Sequence, residues 1–159
     1  MILLKFGTEI KGESTVAGHE GWINISSFQL GVGRAVTLAG GGGDRDPSNP
    51  NFSEATFTKD TDKASAELFM QAICGKSLGK AELHFVQTAG SDAKGQVYLK
   101  YEFDEAIVTS YSLSSAGDRP SESFSINFTK ISKQYDAFSG GKITKGSPKK
   151  WDLLKNQVF

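Results

Sequence analysis

Two histidines, one cysteine, a run of four glycines and a few closely spaced carboxylates are the residues of this chain best equipped for chemistry. The Gly40–Gly43 run would cradle a phosphate if a Lys-Ser/Thr pair followed it and a helix opened behind it. Neither follows, GxGxxG is absent, and no nucleotide site is expected. His19-Glu20 does not continue to HExxH, and His84 falls at an outward position of an alternating segment, so no zinc catalyst is expected. Asp60 and Asp62 resemble the opening of a calcium loop. The central glycine and terminal glutamate are missing, and the two are read as turn and helix-start anions. Cys74 lacks a local histidine motif and is expected to be buried or partly buried packing. Asn51-Phe-Ser53 and Asn127-Phe-Thr129 match the glycosylation triplet, but the second lies in an alternating strand and no secretory leader is visible, so both read as chance matches. No catalytic, cofactor-binding or metal-binding residue is expected, and no enzyme activity.

The elements that must carry these residues are mostly strands. Residues 2–6 alternate weakly, with Ile2, Leu4 and Phe6 on one side and Leu3 and Lys5 on the other. From Trp22 the apolar parity changes between Ile25 and Phe28, which predicts a bent strand with a bulge or break near Ser26 and Ser27. Residues 33–50 join glycines, prolines and charges in a composition that predicts a long mobile loop. One helix is expected, in KASAELFMQAICG, with an Asp or Ser cap before it and Gly75 near its end. After KAELHFVQT, Val97, Leu99, Tyr101, Phe103, Ile107, Tyr111 and Leu113 share one parity and predict an unusually long strand. Phe124, Ile126 and Phe128 alternate in the next, which continues to Tyr135 if a bulge adjusts the phase. Of the two tryptophans, Trp22 packs at a strand start, whereas Trp151, in KKWDLLKN, is read as the anchor of the tail.

Strands in this number around one helix predict a mainly β fold. The preferred form is a small antiparallel β-barrel, closed or nearly closed, with one short α-helix and an extended glycine-rich loop; a sandwich is the alternative. The 159 residues fit a single domain over 1–159, with the extended loop at 33–50 and a C-terminal tail at 140–159. Eighteen Lys+Arg against 18 Asp+Glu leave no net charge, which removes the electrostatic footprint of a general nucleic-acid binder and leaves self-association open. The lone cysteine excludes an internal disulfide framework. No stretch is long and apolar enough for membrane insertion, and the N-terminus lacks signal-peptide features.

WINISSFQLG, the glycine-rich loop, FTKDTDKASAELFMQAICGK, IVTSYSLSSAGDRPSESFSINFTKISKQY and the final WDLLKNQ together resemble the Hcp family, the tube proteins of bacterial type VI secretion. The resemblance spans nearly the whole chain, and its most specific parts are FTKDTDKAS and SESFSINF. It implies a barrel flanked by a helix and assembled as a homo-hexameric ring. The rings would stack into a hollow tube beneath a spike protein, inside a contractile sheath that propels the tube, with effector proteins carried in the lumen. It also implies assembly in the bacterial cytoplasm and delivery without a signal peptide. By the same likeness Arg34–Pro50 is the loop that reaches an adjacent ring. Its ring-stacking residues would be Gly40, Gly41, Gly42, Gly43, Asp44, Arg45 and Asp46, and Trp151 is the recurrent tail tryptophan. Phe57–Cys74 is the helix segment near the ring, and Ala66 stands where family members often carry proline. A monomeric β-barrel binding module and a small hydrolase are the opposing readings. The hydrolase needs convergent catalytic groups that the sequence lacks. Lys100, Glu102, His84 and Asn127 are polar strand positions that parity alone assigns to lumen, solvent or neighbour without choosing among them.

Overall fold

The computed structural model describes residues 1–7, 10–38, 45–88 and 95–159. In chain order the elements are β1 (Ile2–Phe6), β2 (Ile23–Ile25), β3 (Ser27–Gln29), β4 (Val32–Gly33), β5 (Val36–Leu38), β6 (Arg45–Pro47), β7 (Asn51–Phe52) and β8 (Ala55–Asp60). Then come α1 (Ser65–Cys74), β9 (Ala81–Thr88), β10 (Gly95–Asp104), β11 (Ile107–Ser114), β12 (Ser121–Asn127) and β13 (Lys130–Tyr135). The small hairpin strands β14 (Ala137–Ser139) and β15 (Lys142–Thr144) precede β16 (Lys149–Asp152).

Two antiparallel sheets carry the core. One has six strands in the order β16-β13-β10-β9-β1-β2, the other four in the order β11-β12-β8-β3. Core-facing residues alternate along each strand: Leu4, Leu83, Phe103 and Ile131 from the larger sheet meet Ala55, Phe57, Phe124 and Ile126 from the smaller. Phe57, Phe103 and Phe124 are fully buried, each worth about 1.5–3 kcal/mol of burial. The Phe57 and Phe124 rings stack 5.0 Å apart on paired strands.

The expected barrel is not what forms. No ladder joins the ends of the two sheets among the described residues, so the fold is the sandwich alternative. The physical reason lies where the chain changes sheets instead of continuing a strand. The break foreseen at Ser26 and Ser27 is one such corner, with β2 in the larger sheet and β3 in the smaller. The long strand expected from Val97 to Leu113 is two strands in different sheets, because Glu105 adopts φ 53° and turns the chain between β10 and β11. The strand expected to run through Phe128 to Tyr135 likewise splits, with Thr129 donating its backbone N–H to the Asp104 carbonyl at 3.0 Å and β13 joining the larger sheet.

Leu3 points away from the main core and is nonetheless fully buried, beneath Trp22 and beside Val86 in a second apolar cluster. A strap through residues 10–22 covers this outer face. It hugs the backbone at Gly12, whose N–H reaches the Gly21 carbonyl at 2.8 Å and where any Cβ would overlap the Trp22 carbonyl. Helix α1 buries Leu68 against the core, and Ala64 at its N-cap is buried there too. It ends at Gly75, left-handed at φ 63°, whose N–H caps the Gln71 carbonyl.

Candidate assembly surface

The expected ring-stacking segment begins at the end of β4, which pairs with β7. Beyond it β5 and β6 form a two-stranded ladder that sets Leu38 opposite Arg45 and Thr37 opposite Asp46. Gly40, Gly41, Gly42, Gly43 and Asp44 lie outside the described residues. Val32, Val36 and Leu38 are exposed, Leu38 at 77%. Trp151 sits in β16, the edge strand of the larger sheet, opposite Ile131 and against the core cluster. Its indole Nε1–H is buried with no acceptor. Further exposed apolar side chains lie on α1 (Phe69, Met70, Ile73), on β11 (Leu113) and in the tail (Leu154, Val158, Phe159). Phe69 packs edge-on to Tyr111 at 5.7 Å.

The residues weighed for chemistry are used differently. Cys74 is exposed at the last turn of α1, contrary to the expected packing role, because Leu68 and Ala64 occupy the buried stripe of so short a helix. Asp62 is a helix-start anion, its Oδ1 accepting the Ala64 N–H at 2.9 Å. No group of three or more His, Cys, Asp and Glu side chains able to hold a metal exists among the described residues.

Two polar clusters were not anticipated. In the first, His19 Nε2 lies 2.8 Å from His84 Nδ1, and both rings stand 4.6 Å from Trp22. Burial, with the Lys100, His19 and Lys5 charges around it, pushes His84 down from 6.5 to about 4. One ring donates the shared proton and the other accepts it, so the pair cannot be doubly protonated as it stands. A chain with only two histidines and a Trp three residues after the first offered a clue, but their juxtaposition depends on the strap.

The second cluster ties α1 to the smaller sheet. Lys59, fully buried, holds Glu122 at 2.9 Å, Asp62 at 2.8 Å, the Asp60 carbonyl at 2.8 Å and the Ser65 hydroxyl at 3.2 Å. The other Glu122 oxygen accepts from Tyr111 at 2.8 Å. Burial alone would raise the Glu122 carboxyl; the Lys59 and Tyr111 hydrogen bonds and the Lys59 charge outweigh it and hold it below the usual carboxylate range. Burial and the Glu122 bond push Tyr111 up to about 12. The sequence carried a signal for this: Phe57-x-Lys59 and Glu122-x-Phe124-x-Ile126 place both charges on core parity.

Fold and surface together define a β-sandwich building block whose exposed apolar side chains are spread over hairpin, helix and tail. Residues 3–135 match the family described as Type VI secretion system effector, Hcp. Protein hcp1 of Pseudomonas aeruginosa is 29% identical over 110 residues, 67% of each chain. A solved structure described as a type six secretion system protein superposes with a TM-score of 0.90 at 28% identity, covering 99% of this chain and 98% of the other. Hcp1 from Salmonella typhimurium superposes at 0.78 and 25% identity, covering 99% and 97%. The chain belongs to the Hcp family of type VI secretion systems.

Proposed function

We propose that the chain is the repeating subunit of the type VI secretion inner tube. Six copies close a ring, rings stack into a hollow tube in the cytoplasm beneath a spike protein, and contraction of the surrounding sheath drives the tube outward with effector proteins in its lumen. Its role is structural, without a catalytic step. The observation that carries the reading is the end-to-end likeness to a type six secretion system protein, 0.90 in TM-score over 99% of the chain. Physical support comes from the surface: a chain of zero net charge that leaves Leu38, Ile73, Leu154 and Val158 at 64% exposure or more has apolar area to bury against identical neighbours. Light scattering should return a mass six times that of the chain, and negative-stain images should show rings with an open centre, stacking as concentration rises. A monomer throughout the micromolar range would sink the proposal.

A further inference from the structure

The strap over the outer face of the larger sheet is bonded mainly to itself. Gly12 donates its N–H to the Gly21 carbonyl, Gly21 to the Ser14 carbonyl and His19 to the Val16 carbonyl, each at 2.8 Å, and Ser14 donates to the Trp22 carbonyl at 3.0 Å. Toward the sheet, residues 14–21 make one hydrogen bond among the described residues, between His19 Nε2 and His84 Nδ1 at 2.8 Å. Leu3 and Val86 are buried beneath, with Val16, Trp22 and Val97 around them. This cluster is separate from the core between the sheets, so residues 14–21 can leave without opening that core.

Counting protons shows what acid does to that bond. Two neutral imidazoles carry two protons on their ring nitrogens, and one of them lies in the hydrogen bond. The Glu82 carboxylate, 3.9 Å from His84 Nε2, draws the other there. His19 Nδ1 is then bare, buried and without a partner. If the hydrogen bond is to survive, a third proton has only His19 Nδ1 to occupy, where no acceptor meets it among the described residues. The new charge also falls among cations. Lys5 from β1 lies over the Trp22 ring at 5.8 Å, Lys100 from β10 stands opposite His84, and the Met1 ammonium donates to the Val86 carbonyl at 2.8 Å. Glu82 on β9 and Glu20 on the strap oppose them, but Glu20 Oε1 already accepts the Gly18 N–H at 3.1 Å. Glu102, opposite Glu82, is held by Lys80 at 3.3 Å. Lifting the strap brings water to His19 Nδ1 and lets both rings charge.

We propose that His19 and His84 form an acid latch: the pair takes up a proton, residues 14–21 swing off the larger sheet, and the apolar face of Leu3, Val86 and Val97 opens while the two sheets stay packed. The latch lies within one chain and is independent of the tube reading. Its closed form binds the proton less well than its open form, so acid favours opening. With His84 at about 4 when closed and near 6.5 when free, the open-to-closed ratio rises by up to about tenfold for each pH unit between those values.

Trp22 reports on the strap, and Trp151→Phe makes it the sole tryptophan of the full chain. Acrylamide quenching of its fluorescence should rise at least about twofold from pH 7 to 4.5, with far-UV circular dichroism unchanged. In the unmodified chain the apolar dye ANS should brighten over the same range, which keeps the test open if Trp151→Phe folds poorly. A glutamine amide can meet His84 Nδ1 with its N–H or with its carbonyl, so His19→Gln should leave both signals flat. Glu20 and Glu82 are intact in that variant, so pH dependence that persists in it would give the opening to those carboxylates and overturn the latch. Flat quenching and dye signals in the parent protein would overturn it as well. Loss of the dichroism together with the rise in signal would do the same, because the sandwich would then be unfolding and not releasing its strap.

Discussion

Lys59 shows why two short motifs are so specific. Its side chain replaces a hydrophobic residue at a core-facing position, an arrangement stable only if every proton of the ammonium is matched, and Asp62, Ser65, Glu122 and the Asp60 carbonyl do so. FTKDTDKAS supplies the first half and SESFSINF the second. Lys59→Met leaves Glu122 buried without its counter-ion and should cost about 3–5 kcal/mol in urea unfolding, and adding Glu122→Leu should recover much of it. No recovery in the double variant would mean that lost packing, not the stranded charge, sets the cost. His84 makes a second prediction. Unfolded, the imidazole takes a proton below 6.5, whereas the folded one stays neutral until about 4, so its contribution is complete above 6.5 and is lost between 6.5 and 4. The full depression corresponds to about 3 kcal/mol at most; solvent screening of a half-buried ring reduces it to about 1–2 kcal/mol. Melting temperatures should fall through that window, and His84→Gln should flatten the slope. An unchanged slope would assign the acid sensitivity to other groups, Glu122 included, whose contribution is lost lower, as pH drops through its depressed value.

At the scale of elements, alternation located the strands but did not say which sheet each joins. The core-facing phase shifts from Phe103 to Val108 across Glu105 and shifts back at the bulge between Val108 and Ser110, where Tyr111 regains it, so Val97 to Leu113 reads as one strand although Glu105 divides it between two sheets. The parity change after Ile25 did reveal its corner, because there the switch falls between residues of opposite phase. Leu3 and His84 could not be understood from their own strands, since the strap that buries them arrives from 10–22. Helix α1 was legible from its stripe and from Gly75, yet so short a stripe left Cys74 outside. The stacking role we propose for the glycine-rich segment is separable from the core. Among the described residues its flanking strands form ladders with each other alone, so deleting residues 40–46 should leave the melting temperature nearly unchanged while reducing stacking. Tubes of normal length and number in electron micrographs of that variant would remove the segment from ring-to-ring contact.

For the molecule as a whole, zero net charge conceals an uneven distribution of charge along the chain. The C-terminal 30 residues carry an excess of five positive charges, and the first 129 an excess of five negative ones. Where the basic segment of one copy meets the acidic remainder of another the contact is favoured, and two basic segments face to face repel. In the proposed tube, charge would therefore favour rings and stacks over closed pairs, with exposed apolar positions such as Leu38 and Ile73 the area available to hold them. Because the orienting term acts between surface charges, it is screened as the Debye length shrinks from about 10 Å at 0.1 M salt to about 3 Å at 1 M. Raising sodium chloride over that range should slow the formation of assembled species, followed by stopped-flow light scattering, with a smaller effect on how fast they dissociate. Assembly rates indifferent to salt would show that shape and apolar burial alone set the orientation, and that the basic C-terminal segment is not what steers one copy onto the next.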